Sequence, residues 1–379
     1  MPEQVRVGVV GCGAISGQYL KNAALSPILE IAALSDLYPE RSEGRAKEFN
    51  LACARLCTTE QMMEDESIEL ILNITWPKAH VPVALQAIRA GKHTISEKPL
   101  GISMAEAKKL MSAAKRKGVR IGCAPDTFLG SGIQTARKAV EDGLIGRPVA
   151  FTAFMLSRGV ETWHPNPPFY YEPGGGPMLD MGPYYLTALM NILGPIKRIA
   201  GAASIAIPER LITHKNKDGT PGPLFGRKIT VTTPDHVCGV VEFENGAVGT
   251  IITSFATRFP LHDGKQPITI FGTDGTLKVP DPNGFDGPVH IRREGDADWH
   301  EVPNAFVAGY GRAVGLADMA HAIRSGRTHR ATAEQAFAAL EAMQGFLDSS
   351  AGGKFVSIKT PYNRPAPMPA RLPLGILDD

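Results

Sequence analysis

Lys98 is the first residue whose position suggests chemistry. It lies in Glu97-Lys98-Pro99, directly after the short strand-like run His93 to Ser96. A lysine there is usually a solvated charge, but ligands bind at the carboxyl ends of parallel strands in open α/β sheets. Hydride loss from an alcohol carbon requires loss of the hydroxyl proton, and an ammonium at that edge stabilises the alkoxide that develops. A desolvated lysine can itself accept a proton. Lys98 is therefore a candidate catalytic residue.

Asp180 and Tyr184 form a second candidate pair. Their spacing of four places both side chains on one face of a helix. Pro183 favours a helix in which Asp180 lies at or near the N-cap, with the proline in the first turn and the end at Leu193. Asp180 either orients a substrate or only caps this helix.

A glycine-rich turn near the N-terminus predicts dinucleotide binding. Gly11-Cys12-Gly13-Ala14-Ile15-Ser16-Gly17 joins the β-branched run Val5 to Val10 to a helix pattern. The glycines permit a tight turn and close approach of the backbone, while the helix N-terminus faces a pyrophosphate. Ser16 occupies the third glycine position of the fingerprint, with a glycine one place later. We expect Gly11, Gly13, Ala14 and Ile15 to contact the cofactor, the alternative being a turn without one.

Asp36 indicates which dinucleotide is bound. It ends the second apolar run, Leu29 to Leu34, where a carboxylate accepts hydrogen bonds from ribose hydroxyls and repels a 2′-phosphate. Arg41 could pair with that phosphate, although a solvated helix charge is its commoner role. NAD is favoured, and NADP stays open.

A loop rich in aromatic residues and proline is the candidate substrate region. Residues 163–171 are too rich in proline for a helix or a central strand. Their aromatic faces and polar tips suit a sugar or cyclitol, although any one ring could simply anchor the loop. The candidate substrate-binding residues are Trp163 and His164 from this loop, Asp126 and Arg158 from their position, and Asp180 and Tyr184.

Alternating strand and helix patterns must position these residues. They predict a doubly wound Rossmann domain over residues 1–125. From 126 to 360, strand patterns with a hairpin at Glu244-Asn245-Gly246 predict a large, mostly antiparallel open sheet. Two late helices, Gly311 to Arg324 and Thr332 to Ser349, should cover one face of it. Residues 361–379 read as a proline-rich extended arm.

Composition narrows the class of function. The net charge is +2 over 379 residues, which gives no field that would attract nucleic acid or an anionic membrane. The five cysteines are scattered and read as reduced thiols, and no residues show credible metal-ligand spacing. Without a signal sequence or an apolar run long enough to span a membrane, we expect a cytoplasmic protein.

Three sequence blocks resemble the Gfo/Idh/MocA family, which includes glucose-fructose oxidoreductase and inositol dehydrogenase. They are Asn73-Ile74-Thr75-Trp76-Pro77-Lys78-Ala79-His80, Ser96-Glu97-Lys98-Pro99 and Gly174-Gly175-Gly176-Pro177-Met178-Leu179-Asp180-Met181-Gly182. The resemblance implies a metal-free site and a homo-oligomer, a dimer or a tetramer. It further implies that Thr75, Trp76, Pro77 and His80 flank the nicotinamide, that Glu97 contacts its ribose, and that Lys98 reaches the reacting carbon–oxygen group.

The sequence departs from the family at Tyr184. Many members have a histidine, the usual proton acceptor, four residues after the aspartate. One hypothesis makes Tyr184 the proton-transfer residue, with its phenol made more acidic by Lys98. Alternatively, Tyr184 only contacts substrate while Lys98 is the base, or it packs in the core beside Tyr185.

These observations predict an NAD(P)-dependent dehydrogenase acting on CH–OH groups. Hydride would pass between the nicotinamide and a hydroxyl carbon of a sugar, sugar derivative or cyclitol. One alternative is a glycoside-cleaving enzyme that oxidises, eliminates and reduces without net consumption of NAD. A second is a non-catalytic NAD-binding regulator.

Overall fold

The computed structural model describes residues 3–258, 264–370 and 372–378. Within these ranges, the N-terminal sheet consists of β1 (Val5–Val10), β2 (Leu29–Ser35), β3 (Arg55–Leu56), β4 (Leu70–Asn73), β5 (His93–Ser96) and β6 (Ile121–Cys123). The helices between these strands are α1 (Ser16–Ala23), α2 (Pro39–Glu48), α3 (Thr59–Glu64), α4 (Pro77–Arg89) and α5 (Met104–Lys117).

All neighbouring strands of this first sheet run parallel, in the order β3-β2-β1-β4-β5-β6. The order reverses between β1 and β4, whose carboxyl ends lead into the glycine-rich turn and into the Thr75 block. Ligands bind at such a switch point in open α/β sheets. The predicted Rossmann domain is confirmed.

The second domain is built on a larger sheet. Its strands are β7 (Pro148–Leu156), β8 (Ile196–Ser204), β11 (His236–Phe243), β12 (Val248–Ser254), β13 (Ile268–Gly272), β14 (Gly275–Val279), β15 (Val289–Arg293), β16 (His300–Val302) and β17 (Val356–Ser357). A short ribbon pairs β9 (Glu209–Leu211) with β10 (Lys228–Thr230). The remaining helices are α6 (Ser131–Glu141), α7 (Gly176–Leu193), α8 (Val314–Ser325) and α9 (Ala333–Gly352).

The strand order of this sheet is β16-β15-β14-β13-β7-β12-β11-β8-β17. β7 and β12 pair in parallel, whereas the other neighbouring strands are antiparallel, so the mostly antiparallel sheet is confirmed. The predicted hairpin joins β11 to β12, and Gly246 supplies the positive φ (+89°) that its turn requires.

The two late helices do not both cover this sheet, as the sequence suggested. α9 packs on it, and the Ser349 hydroxyl accepts a hydrogen bond from the Gly201 N–H of β8 (2.9 Å). α8 instead packs against the first domain, where Arg324 pairs with Glu69 (2.7 Å). Gly122 in β6 makes room for it, since a Cβ there would lie 2.7 Å from Met319 Cε. β6 is the edge strand of the first sheet, and Met319 of α8 packs against it.

The described residues of the predicted C-terminal arm, 361–370 and 372–378, form no helix or strand and pack against the rest of the chain. The Met368 N–H donates to Gln134 Oε1 (2.9 Å), and Arg137 donates to the Pro365 carbonyl (2.7 Å). Met368 and Leu377 are buried. The arm therefore ties α6 to the rest of the molecule.

Candidate active site

A cleft of about 880 Å³ lies between the two domains, at the carboxyl ends of β1, β4 and β5. The first domain lines it with the glycine-rich turn, Asp36, the Thr75 block and Lys98. The second domain contributes α7 and the aromatic loop. Parallel strands deliver residues distant in sequence to one edge, so the predicted cofactor residues lie together here.

The glycine-rich turn has the geometry of a dinucleotide cradle. Gly11 has φ +102°, and a Cβ on it would lie 2.7 Å from the Ile74 carbonyl oxygen. A Cβ on Gly13 would meet nothing within 4 Å, so this backbone faces open space in the cleft. Ser16 begins α1 and donates its hydroxyl proton to the Gly13 carbonyl (2.6 Å), which makes a small residue useful at the third glycine position. These features fit a pyrophosphate at the start of α1.

Asp36 directly follows β2 and lines the cleft. Its Oδ2 accepts the Cys12 N–H (2.7 Å) and its Oδ1 accepts the Tyr38 N–H (2.9 Å), so the carboxylate is fixed in orientation. Arg41 Nη1 lies 3.9 Å from Asp36 Oδ1 and its guanidinium stacks over the Tyr38 ring. The arginine is half-exposed and already partnered, which favours its role as a helix charge over that of a phosphate ligand.

The Thr75 block lines the middle of the cleft. His80 is 1% exposed, with one ring nitrogen 3.0 Å from the Thr75 carbonyl oxygen and the other 3.0 Å from that of Pro99. Burial lowers the pKa of His80 despite these contacts. His80 therefore links the segment at Thr75 to the segment at Pro99. Trp76 and Pro77 start α4, and the Trp76 indole packs edge-on against Phe169, with ring centroids 5.5 Å apart.

Lys98 and Asp180 form an ion pair across the two domains. The Lys98 ammonium donates to Asp180 Oδ1 (2.6 Å) and to the Asp180 backbone carbonyl (2.8 Å). Burial alone would lower the pKa of Lys98, but the facing carboxylates, above all Asp180, raise it above its usual value. Lys98 is therefore held as an ammonium at the edge of the cleft.

Asp180 is not the N-cap that Pro183 suggested. α7 begins at Gly176, one turn earlier, because Gly175 is the N-cap and Pro177 occupies the first turn. Pro183 therefore lies inside the helix, and Leu193 ends it as expected. This start places Asp180 in the body of α7, where its side chain is free to pair with Lys98.

Tyr184 also reaches the cleft, although it is 4% exposed. Lys98 Nζ lies 5.2 Å from the centre of its ring, and Arg312 Nη2 donates to its hydroxyl (3.1 Å). Burial raises the pKa of Tyr184, and it outweighs the lowering by Lys98 and Arg312. The phenol is therefore neutral at rest, rather than acidified as the sequence hypothesis supposed.

Glu97 lies beneath Lys98 and is almost fully buried. Tyr19 of α1 donates its hydroxyl proton to Glu97 Oε1 (2.7 Å), and Arg312 Nη1 lies 3.8 Å from the same oxygen. Glu97 Oε2 accepts the Lys98 backbone N–H (3.0 Å). Glu97 thus couples helix α1 to the residues around Lys98.

Of the two loop residues that were predicted to bind substrate, His164 lines the cleft and Trp163 does not. His164, Phe169 and Tyr170 line the cleft, and the rings of Phe169 and Tyr170 lie 4.1 Å apart. Trp163 is 59% exposed and packs edge-on against His164, outside the cleft lining.

Asp126 and Arg158 do not line the cleft. Asp126 is 2% exposed and accepts the N–H groups of Ala313 (3.0 Å) and Gly315 (3.1 Å). Its carboxylate therefore closes the turn before α8 and does not face the cleft. Arg158 is exposed and lines a separate cavity of about 340 Å³ beside Arg210.

Sequence reasoning missed two residues of the site, Arg312 and Tyr19. Arg312 precedes α8 by two residues in no motif, and only the unexpected position of that helix brings it into the cleft. Tyr19 could have been found, because it lies on the apolar face of a helix that follows the glycine-rich turn.

Neither a cluster of metal ligands nor a membrane-spanning helix occurs within residues 3–258, 264–370 and 372–378. Across those ranges, no group of three or more His, Cys, Asp and Glu side chains is placed to hold a metal ion. No described helix has the length and apolar character needed to cross a membrane.

Comparison with known proteins gives matches along most of the chain. Residues 5–124 match a family described as "Oxidoreductase family, NAD-binding Rossmann fold", and residues 133–278 match the "GFO/IDH/MocA C-terminal domain". The 1,5-anhydro-D-fructose reductase of Ensifer adhaerens is 26% identical over 72% of this chain and 74% of its own. The levoglucosan dehydrogenase of Pseudarthrobacter phenanthrenivorans is 27% identical over 73% of each chain.

The fold is also that of a solved structure, a levoglucosan dehydrogenase in complex with NADH and L-sorbose. It superposes with a TM-score of 0.78 at 22% identity, covering 94% of this chain and 100% of the other. The two domain matches occur in the same order as the two domains of the structure. The chain therefore belongs to the Gfo/Idh/MocA family of oxidoreductases and carries the family's NAD-binding Rossmann domain.

Proposed function

We propose that this protein transfers a hydride between NAD and a hydroxyl carbon of a sugar, sugar derivative or cyclitol. The observation that carries the proposal is the Lys98–Asp180 ion pair (2.6 Å), which faces the same cleft as the dinucleotide turn. The names of the relatives support the substrate class, since a reductase of 1,5-anhydro-D-fructose and a dehydrogenase of levoglucosan both act on sugar derivatives. The related structure in complex with NADH and L-sorbose supports the combination of cofactor and ligand.

Gly11, Gly13 and the start of α1 would hold the pyrophosphate, and Asp36 would hold the adenosine ribose, which favours NAD over NADP. Thr75, Trp76, Pro77 and His80 would border the nicotinamide, with Glu97 near its ribose. When bound, NAD supplies the acceptor for the hydride that leaves the carbinol carbon.

Lys98 would polarise the reacting oxygen. Its ammonium stabilises negative charge on that oxygen in either direction of the reaction. The raised pKa of Lys98 argues against its serving as the base, because it retains its proton beside Asp180. Asp180 fixes the direction of the ammonium and orients the substrate.

Tyr184 would carry the hydroxyl proton. In oxidation, the Tyr184 phenol first loses its own proton to solvent, and the phenolate then accepts the proton of the substrate hydroxyl while the hydride leaves carbon. In reduction, the phenol returns a proton to the carbonyl oxygen. The position of Tyr184 between Lys98 and Arg312 supports this assignment, because both cations stabilise the phenolate.

A substrate screen tests the function. Purified protein is incubated with unmodified sugars, anhydrosugars, cyclitols and aryl glycosides, with NAD and NADP in parallel, while reduced cofactor and released aglycone are measured. We expect NADH to accumulate with at least one unmodified sugar or cyclitol. Aglycone release without net NADH would replace the proposal with glycoside cleavage, and cofactor binding without either product would indicate a regulator.

We also propose that the protein is a cytoplasmic homo-oligomer. On the sheet face away from α9, Cys238 of β11 is paired with Ala202 and Ile252 on the neighbouring strands. These side chains form an apolar stripe that a second copy could cover. The cytoplasmic location is supported by the five cysteines, which are free thiols.

A further inference from the structure

Arg312 is a second cation beside Tyr184. Its side chain is 11% exposed. Nη2 donates to the Tyr184 hydroxyl (3.1 Å) and to Asn283 Oδ1 (3.2 Å), and the guanidinium carbon lies 5.6 Å from the centre of the Tyr184 ring. The residue therefore acts at the oxygen end of the phenol, where a proton would be gained or lost.

The backbone around Arg312 is held in an unusual conformation. Ala313 has φ +94°, in the left-handed region that favours glycine. Asp126 fixes this turn by accepting the N–H groups of Ala313 and Gly315. Such conformations persist only where the surroundings hold them, and they concentrate at functional sites. The turn thereby aims Arg312 into the cleft from the C-terminal part of the chain.

Four charged groups act on Tyr184: Lys98 and Glu97 after β5, Asp180 from α7, and Arg312 before α8. The neutral phenol of Tyr170 lines the same cleft. The two carboxylates have other partners as well: Asp180 accepts from Lys98, while Glu97 accepts from Tyr19 and lies 3.8 Å from Arg312 Nη1. Arg312, by contrast, donates directly to the phenolic oxygen. A cationic donor binds a phenolate more strongly than a neutral phenol.

We propose that Arg312 is a positioning residue for proton transfer. It orients the Tyr184 hydroxyl and stabilises the ionised form of Tyr184. Lys98, which follows β5, is the first cation beside this tyrosine, and Arg312, which precedes α8, is the second. This inference rests on the proposed function only in assigning the substrate proton to Tyr184. It explains how a buried tyrosine can ionise in the cleft. Burial disfavours the phenolate, and the second cation offsets part of that cost.

The test is a phenolate titration without substrate, followed by ultraviolet absorbance and referenced to Tyr184→Phe. Arg312→Gln removes the charge and should raise the apparent pKa of Tyr184 by about one pH unit or more, the size expected for loss of a cation in contact. Arg312→Lys keeps a charge and should recover part of the shift. Arg312→Met serves as a second uncharged variant if the glutamine variant does not fold.

Arg330→Gln is the matched control. Arg330 is also a buried arginine that binds α8, through an ion pair with Asp318, but it does not line the cleft. Its loss should leave the Tyr184 titration unchanged. An Arg312→Gln titration that coincides with that of Arg330→Gln overturns the inference. Because the titration uses no substrate, this outcome is distinct from failure of the proposed function, which would appear as a wild-type protein without hydride transfer.

Discussion

The roles of the polar residues in the cleft follow from what each one faces. Lys98 forms an ion pair with Asp180 and keeps its proton. A substrate oxygen beside Lys98 would therefore contact a cation and not a base. Tyr184 is buried, and desolvation raises its pKa more than Lys98 and Arg312 lower it. The sequence hypothesis of an acidified phenol included the attraction of Lys98 but not the opposing effect of burial, which no sequence pattern revealed.

The raised pKa of Tyr184 predicts a pH dependence that differs between the two directions. Oxidation needs the phenolate, whose fraction increases about tenfold per pH unit below the pKa, so kcat should rise with pH until Tyr184 is ionised. Reduction needs the phenol and should be independent of pH below that pKa and fall above it. Steady-state rates in both directions across the pH range measure this.

Tyr184→Phe should remove the pH dependence of oxidation, while Tyr185→Phe should keep it. Tyr185 is the neighbouring buried tyrosine and does not line the cleft. An oxidation profile that stays the same in Tyr184→Phe would assign the proton to another group.

At the scale of elements, sequence patterns predicted the strands that local residue types determine. They did not predict which distant element a helix packs against. Val5 to Val10 is a strand with the predicted bounds, because a β-branched run in a parallel sheet is buried on both faces. α8 was predicted to cover the larger sheet but packs against the first domain, since amphipathicity reveals an apolar face but not its partner. Arg312 was missed for the same reason. The start of α7 was misjudged because two prolines lie near it and only one occupies the first turn.

The turn before α8 should depend on Asp126. Asp126→Ala leaves two buried N–H groups without an acceptor, so the free energy of unfolding should fall by about 1–3 kcal/mol. Urea denaturation measures the loss. Asp142→Ala, which removes an exposed pair with Lys138, is the control and should cost less than about 0.5 kcal/mol. Equal stability of the two variants would show that Asp126 does not hold the turn.

At the scale of the molecule, the larger sheet has two unlike faces. α9 covers one, with Phe346 packed so closely that a Cβ on Gly239 would lie 2.5 Å from its ring. The opposite face presents Val240, which is 39% exposed and lies between Ala200 and Thr250 on the neighbouring strands. Contiguous exposed apolar patches are typical of protein–protein interfaces, so we place the proposed homo-oligomer interface on this face.

Val240→Lys should therefore dissociate the oligomer. A charge at the centre of a buried apolar interface is costly, so sedimentation should show a dimer or tetramer for the wild type and a monomer for the variant. Leu211→Lys, on the β9–β10 ribbon and 51% exposed, should leave the assembly unchanged. A wild-type protein that sediments as a monomer contradicts the proposed interface.

The central claim is that Lys98 polarises the reacting oxygen and Tyr184 carries its proton. The most direct measurement is single-turnover formation of NADH with a substrate found in the screen, comparing wild type, Lys98→Met and Tyr184→Phe. We expect both variants to bind NAD and to transfer hydride about 10²–10⁴-fold more slowly. A near wild-type rate for Tyr184→Phe would contradict the role of Tyr184 in proton transfer. A near wild-type rate for Lys98→Met would contradict the role of Lys98 in polarising the reacting oxygen.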